Sequence, residues 1–146
     1  MSPDSKTDSL VFDQHPSFRI WLCKELDIPY LEPQAKTIAV VRDRVCGVVA
    51  YQHYNGHDMH MLAAGHGVWL NRNTIKVFFR YPFIQMGCRR VTVLCRDSNE
   101  KARNFVQRLG FVEEGTLRQY FEDGADCIVY GLLKEECRYL GEENGK

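Results

Sequence analysis

Two residues with the chemistry of proton transfer lie two positions apart, at Asp58 and His60. They follow Asn55-Gly56, the strongest short turn signal in the chain, because both residues tolerate the positive φ of a type I′ turn. The turn predicts a hairpin in which 45–54 pairs with 57–64, and strand alternation then puts Asp58 and His60 on one face. Either could accept a proton directly or through water. His53 would lie opposite Asp58 across a two-residue turn, so an exposed ion pair is the competing interpretation.

Four histidines near this hairpin raise the question of a metal site. They are His53, His57, His60 and His66. Their spacings do not match a known ligand set, and no cysteine pair or acidic triad completes one. We therefore predict that the chain binds no metal.

Charge and cysteine content exclude several classes of protein. The chain has 19 basic and 19 acidic side chains, so no overall field draws it to nucleic acid or to an anionic membrane. Its six cysteines include no Cys-x-x-Cys pair, which predicts reduced thiols in a cytoplasmic protein. The polar N-terminus does not resemble a signal peptide, and no apolar stretch is long enough to cross a bilayer.

Apolar periodicity and turn signals predict one α/β (α+β) domain over residues 1–146, with 1–8 and 141–146 frayed. A first helix runs from Pro16 to Leu26, and a second begins near Leu70 to Arg72 and runs to Gly87 with a kink at Pro82. The predicted strands are 37–41, 45–51, 57–64, 89–95, 113–122 and 126–134.

A third helix carries the clearest start and stop signals in the chain. Asp97 or Ser98 is expected to cap it, and Glu100 can complete a capping box with Asp97. Gly110 is expected to end it in a left-handed conformation, which lets Phe111 fold back onto the helix.

Residues from this helix onward resemble a known family. The segment Asn99–Phe111 is similar to the Asn-x-x-Ala…Leu-Gly-Phe helix of the GCN5-related N-acetyltransferase (GNAT) superfamily. Val112–Arg118 and Asp123–Glu136 resemble the branch of that superfamily that acetylates ribosomal proteins. The resemblance covers roughly residues 37 to 136 and is densest from Gly87 onward.

This resemblance implies a fold and a cofactor. The fold is a mixed, mostly antiparallel twisted sheet of six to seven strands with splayed central strands, flanked by three to four helices. In the family, acetyl-coenzyme A (acetyl-CoA) lies where two central strands part, here between His57–Ala64 and Arg89–Cys95. Backbone groups of Leu62, Ala63 and Ala64 are then expected to pair with the pantetheine amides.

The family holds the cofactor pyrophosphate at the start of the helix that follows, where backbone N–H groups favour an anion. The residues at that place are Trp69, Leu70, Asn71, Arg72, Asn73 and Thr74. They depart from the family's glycine-rich loop. Asn71 can take a left-handed conformation and Arg72 can supply charge, but simple packing of Trp69 and Leu70 is the alternative.

The third helix is expected to contribute to the same cofactor site. By resemblance, Asn99 and Ala102 lie near the pantetheine arm, and Arg103 lies near the nucleotide phosphates.

Few residues are candidates for the acid that protonates the departing thiolate. The tyrosine that serves much of the family falls at Val106 here, so that acid is absent. The ribosomal-protein branch can use a serine at the strand-to-helix junction, which places Ser98 in this role, with simple helix capping as the alternative. Tyr120, on the penultimate strand, could line the acceptor site or merely pack.

Taken together, the resemblance implies an acetyl-CoA-dependent N-acetyltransferase. Its acceptor is an amine, and the branch favours a protein N-terminus or lysine over a small molecule. A catalytically inactive relative that acts as a binding module is the alternative, because the phosphate loop and the tyrosine differ. The oligomeric state stays open, with a homodimer as one option.

Overall fold

The computed structural model describes residues 9–13 and 16–144. Over these residues the chain forms seven strands and three α-helices. The strands are β1 (Ser9–Asp13), β2 (Lys36–Val41), β3 (Val45–Gln52), β4 (Asp58–Gly65), β5 (Arg90–Arg96), β6 (Val112–Leu117) and β7 (Cys127–Leu133). The helices are α1 (Pro16–Leu26), α2 (Arg72–Arg80) and α3 (Glu100–Leu109). A π-helical turn (Tyr81–Gln85) follows α2, and 3₁₀ turns occupy Lys134–Glu136 and Arg138–Asn144.

The strands form one sheet in the order β1-β2-β3-β4-β5-β7-β6. Antiparallel pairing joins β1 to β2, β2 to β3, and β7 to both β5 and β6. Strands β4 and β5 pair in parallel. The predicted mixed, mostly antiparallel sheet is therefore confirmed. β1 is a strand that the sequence pattern marks only as a short apolar segment.

Parallel pairing between β4 and β5 is described within one compact unit of the chain. It joins Asp58, Met59 and His60 of β4 to Arg90, Val91 and Thr92 of β5. The antiparallel pairing with β7 uses every residue of β5.

The described residues cluster into two compact units. One holds the chain up to His53 together with Met61–Phe78, and the other holds Tyr54–His60 and the chain from Phe79 onward. A single domain over residues 1–146 stays a prediction. No helix in the described ranges has the length and apolar character needed to span a bilayer.

In the first unit, α1 covers one face of the strands. Pro16 opens α1, since a missing N–H costs nothing at the first helical position. Asp27, with a φ of 56°, ends it, and the N–H of Ile28 closes back on the carbonyl of Cys23 at 3.0 Å. Buried Leu22 packs with five other buried residues, namely Leu31, Ala35, Ala39, Val48 and Ala50.

In the second unit, α3 begins at a different cap from the expected one. Asn99 is the N-cap, and its Oδ1 accepts the N–H of Ala102 at 3.1 Å. Prediction of Asp97 or Ser98 was wrong because all three neighbouring residues have capping side chains, and pattern alone cannot choose among them. Gly110 ends the helix with a φ of 110°, as expected, and Phe111 is buried.

The predicted end of one strand and the predicted kink at Pro82 were also wrong. The strand expected at 113–122 ends at Leu117, and a loop in which Asp126 accepts the N–H of Gln119 at 2.8 Å precedes β7. At Pro82 the helix does not simply kink. It continues as the π-helical turn, in which the N–H of Met86 reaches back to the carbonyl of Tyr81 at 2.9 Å.

Candidate active site

Asp58 stands at the first position of β4, where the preceding loop fixes it. The side chain of Asn55 accepts the backbone N–H groups of His57 and Asp58, each at 2.9 Å. Gly56 adopts a φ of 94°. Asn55 does not have a positive φ, so the predicted type I′ turn was wrong: the side chain of Asn55 forms the turn instead.

A directed hydrogen-bond chain ends on Asp58. The Nε of Arg90 donates to the hydroxyl of Thr92 at 3.1 Å, and that hydroxyl donates to Oδ1 of Asp58 at 2.7 Å. Arginine is always a donor, so the threonine proton must point to the carboxylate. Thr92 is 6% exposed, which shields the chain from water. Oδ1 is therefore an acceptor held by the sheet.

The other oxygen of Asp58 faces His60. Their Oδ2 and Nε2 atoms are 3.8 Å apart, which is an ion-pair distance rather than a direct hydrogen bond. Both side chains are about a fifth to a quarter exposed, at 17% and 26%. The strand alternation predicted for these two residues is confirmed, and the pair can exchange a proton with a molecule from solvent.

Beyond Arg90 the polar chain continues to Glu114. Nη2 of Arg90 donates to Oε1 of Glu114 at 2.9 Å, while Nε lies 3.4 Å from Asp58 Oδ1. The hydrogen bond that Arg90 donates to Glu114 is the main reason that the pKa of Arg90 is raised above its ordinary value, with burial opposing it. Arg90 thus sits between two carboxylates.

His53, which was expected to pair with Asp58, has Glu32 as its described ion-pair partner. His53 has a φ of 60°, and its Nδ1 lies 3.2 Å from Oε1 of Glu32. The five residues 53–57 between β3 and β4 make the connection longer than the two-residue turn assumed. Asp58 consequently turns to Thr92 instead.

At the start of α2, Asn71 and Thr74 cap the helix reciprocally. Asn71 Oδ1 accepts the N–H of Thr74, and Thr74 Oγ1 accepts the N–H of Asn71, both at 2.9 Å. Arg72 and Asn73 are exposed, and the cap does not use their backbone N–H groups. Asn71 does not have the positive φ that was considered for it; it orders the helix start through its side chain.

Trp69 packs into the first unit. Its indole lies on the backbones of Gly47 and Gly65, where any Cβ would overlap the ring. Its ring centroid is 5.9 Å from that of Phe78. Packing, the alternative considered for Trp69, is what the structure shows, and Leu70 beside it is half-buried.

Several known N-acetyltransferases are similar to this chain. No protein-family model matches the chain. A curated N-acetyltransferase of Methanocaldococcus jannaschii, described as uncharacterized, is 28% identical over 101 residues, which is 66% of this chain and 65% of that protein. The chain therefore spans about two thirds of the length of this relative.

Solved structures of N-acetyltransferases also superpose on this chain. The ribosomal-protein-S5-alanine acetyltransferase of Vibrio fischeri superposes with a TM-score of 0.61 at 23% identity, over 71% of this chain and 64% of that one. A variant of the spermidine N-acetyltransferase SpeG of Vibrio cholerae gives 0.74 at 16% identity, over 93% and 98%. These matches show that the chain has the GNAT fold.

The residues expected on β4 divide between two environments. Leu62 and Ala64 pack against the buried cluster around Leu22, whereas Ala63 is exposed. The side chains of Leu62 and Ala64 are therefore occupied in packing, and that of Ala63 is a single methyl group. Pairing of their backbones with a pantetheine stays a prediction.

The residues expected at α3 have structural roles. Asn99 is the cap, and half-buried Ala102 gives it the N–H. Arg103 donates to the hydroxyl of Tyr130 and to the carbonyl of Asp97, both at 2.9 Å. Its role as a phosphate ligand stays a prediction, and the structure gives it another task, which is to fasten α3 to the sheet.

Ser98 and Tyr120 lie apart from the cluster at Asp58. Ser98 is exposed, and its carbonyl accepts the N–H of Glu100 at 3.0 Å. Tyr120 is 50% exposed and lies in the loop after β6, edge-on to Phe121. Its placement on the penultimate strand was wrong because the strand ends at Leu117. Catalytic roles for both remain predictions.

Three of the described histidines, His53, His60 and His66, lie near carboxylates. His66 lies 2.8 Å from Glu25, in addition to the pairs of His53 and His60. Among the described residues no group of three or more potential ligands could hold a metal ion.

Sequence reasoning missed Arg90, Thr92 and Glu114. Arg90 and Thr92 alternate along β5, so the pattern could have placed them on one face. Their meeting with Asp58 depends on the parallel register of β4 and β5, for which the sequence carries no local signal.

Proposed function

We propose that this GNAT protein transfers the acetyl group of acetyl-CoA to an amine, with Asp58 and His60 receiving the proton that the amine loses. The acceptor nitrogen bonds to the thioester carbonyl carbon and loses one proton to the pair, the carbon–sulfur bond breaks, and the sulfur takes up one proton from solvent so that coenzyme A leaves as the thiol. The pair then returns its proton to solvent. Acetyl-CoA supplies the activated acetyl group. The observation that carries the proposal is the Asp58 carboxylate, with one oxygen held by Thr92 and the other facing His60.

The reaction needs a neutral amine, so a base must be available near neutral pH. A carboxylate with a nearby imidazole fills this need, since either group alone or the two together can take the proton. The sheet holds Asp58 by Oδ1, which leaves Oδ2 for the reaction. Both side chains are partly exposed, at 17% for Asp58 and 26% for His60, so an acceptor amine can reach the pair from solvent.

The start of α2 fits the phosphate end of the cofactor in part. The backbone N–H groups of Arg72 and Asn73 and the guanidinium of Arg72 offer an anion two amides and one charge. Close approach of the main chain, which glycines usually allow, is not available at Trp69. We therefore assign more of the phosphate binding to the Arg72 side chain than the family's loop would require.

Two kinds of acceptor are represented among the similar structures, a ribosomal protein and spermidine. The preference for a protein acceptor is carried only by the resemblance of Val112–Arg118 and Asp123–Glu136. An alanine-initiated peptide and spermidine are the two acceptors to compare first.

The test is acetyl transfer measured by intact mass and by thiol release, with both acceptors. Asp58→Asn is expected to lower kcat about 100-fold, in the range typical of losing a general base. Asp123→Asn is the matched control, because Asp123 also pairs with an arginine of β5, Arg96, at 2.8 Å. His60→Gln is expected to lower kcat less, with exposed His57→Gln as its control.

Calorimetry with coenzyme A tests the phosphate end separately. Arg72→Ala should weaken binding about fivefold, as expected for one charge-assisted contact, whereas Arg118→Ala, another exposed arginine, should not. A parent protein that neither binds coenzyme A nor acetylates either acceptor would overturn the proposal. Equal loss in Asp58→Asn and Asp123→Asn would remove Asp58 from the chemistry.

A further inference from the structure

The proton-transfer pair of the proposed function is one end of a longer polar row. From His60 and Asp58 on β4, contacts run through Thr92 and Arg90 on β5 to Glu114 on β6. Strand β7 lies between β5 and β6 in the sheet. The far end of this row, Glu114, has no part in the reaction as proposed so far.

Two local features let Glu114 reach Arg90 across β7. The register of β6 on β7 shifts between Glu113 and Gly115, which is a bulge that leaves Glu114 out of the ladder and re-aims it. Below the ion pair, β7 carries Gly131. A Cβ at this position would overlap both Oε2 of Glu114 and Nη2 of Arg90. The bulge and the glycine together make room for this one contact.

Arg90 is therefore held from both sides. Its Nη1 and Nη2 face the two oxygens of Glu114, at 3.4 and 2.9 Å, and its Nε faces Thr92 and Asp58. Without Glu114, the guanidinium of Arg90 could turn fully toward Asp58. Among the described residues, Asp58 is the other carboxylate with which Arg90 forms an ion pair. Both oxygens of Asp58 would then be occupied, and Oδ2 would be lost to the reaction.

We propose that Glu114 is a positioning residue for the acetyl transfer, which keeps Arg90 on Oδ1 of Asp58 and leaves Oδ2 to His60. This proposal rests on the proposed function, since it concerns the same proton acceptor. Glu114 also balances the charge of Arg90, so that the Asp58–His60 pair does not face an uncompensated cation.

The charged and titratable groups around Asp58 come from several segments. They are His60 on β4, Arg90 on β5, Glu114 on β6 and Cys88 before β5. Cys88 is 1% exposed. Burial, and then the charge of Asp58, raise the pKa of its thiol, so Cys88 stays neutral and adds no charge of its own near neutral pH.

Glu114→Gln tests the proposal because it keeps the size of the side chain and removes its charge. The neighbouring Glu113→Gln is the matched control, since Glu113 lies 3.4 Å from a different arginine, Arg103. In Glu114→Gln the cation disfavours protonation of the pair, so the acid limb of the kcat/KM profile should move to lower pH by about half a unit. At its optimum the variant should also have a lower kcat, because Oδ2 is engaged.

A second variant changes the geometry without changing any charge. Gly131→Ala puts a methyl group where the ends of Arg90 and Glu114 meet, and both ends belong to flexible side chains that can move apart. Gly131 does not have a positive φ, so alanine fits the strand. We expect the same direction of change in the pH profile as in Glu114→Gln, and none in Gly115→Ala, where a Cβ would meet nothing within 4 Å.

An NMR titration of the His60 ring separates this proposal from the proposed function, because it needs no turnover. The titration midpoint of His60 should fall in Glu114→Gln and stay at the parent value in Glu113→Gln. An unchanged midpoint, with a kcat/KM profile that follows the parent, would overturn the positioning role even in an active enzyme. A shifted midpoint in a protein that acetylates no amine would keep the coupling and refute only the proposed function.

Discussion

The hydroxyl of Tyr51 donates a buried hydrogen bond of 2.7 Å to the carbonyl oxygen of Phe78. In an uninterrupted α-helix this carbonyl would accept the N–H of the residue four positions later. That residue is Pro82, which has no N–H. Tyr51 therefore supplies from β3 a donor in place of the one that Pro82 cannot give.

Tyr51→Phe should consequently destabilise the protein by about 2 kcal/mol, because it leaves a buried carbonyl without this partner. Urea denaturation of the variant measures the change, with Tyr30→Phe as the control, since Tyr30 is 74% exposed. Adding Pro82→Ala restores an N–H and should reduce the cost of Tyr51→Phe. A double-mutant cycle without coupling would contradict this account.

The packing of Trp69 against Gly47 and Gly65 gives a second prediction. Gly65→Ala and Gly47→Ala each force a methyl group into the indole ring, and overpacking of this kind costs about 2 kcal/mol. Gly115→Ala serves as the control because its surroundings are open. Thermal unfolding should show a lower Tm for the first two variants, and equal Tm values for all three would show that the ring moves aside freely.

The N-cap of α3 gives a third prediction. Asn99→Ala removes the side-chain acceptor for the N–H of Ala102 and should cost about 1 kcal/mol. Ser98→Ala, one position earlier, should change the free energy of unfolding little, because the side chain of Ser98 is not the cap. The reverse order of these two values would restore the cap that sequence reasoning favoured.

Cys95 predicts a dependence on alkaline pH. Burial, more than the neighbouring thiol of Cys127, raises the pKa of Cys95 from 9.0 to about 11. The folded protein thus keeps a proton that the unfolded chain loses, so the free energy of unfolding should fall as the pH rises from 9 to about 11. Cys95→Ala should flatten this part of the curve.

Alkylation of the native protein at pH 8 provides a kinetic check. Half-buried Cys46 should react with iodoacetamide well before Cys95, because the thiolate is the nucleophile and Cys95 holds almost none. Peptide mass spectrometry of timed samples gives both rates. Equal rates would place Cys95 in a more exposed and polar setting than the structure does.

The sequence was most informative where local signals decide the structure. The helix from Pro16 to Leu26 and the left-handed Gly110 follow from spacing and backbone sterics, which act over a few residues. The GNAT fold followed from the resemblance around Asn99–Phe111. Each of these needs little knowledge of what lies elsewhere in the chain.

The site was less predictable because its contacts join distant segments. Asp58 and Thr92 are 34 positions apart, and their meeting depends on which strands are neighbours and in what register. The expected partner of Asp58, His53, instead turns to Glu32. The bulge at Glu114 is a single-residue shift in register, and no residue type announces it.

The burial of Trp69 between two glycines also gives the protein its own optical reporter. The chain has two tryptophans, and Trp69 is 9% exposed. Its fluorescence should be emitted at short wavelength while β3 and β4 hold the indole, and should shift to the red when water reaches the ring. The second tryptophan, Trp21, also packs in the first unit, so tryptophan emission can follow the integrity of this unit without any added label.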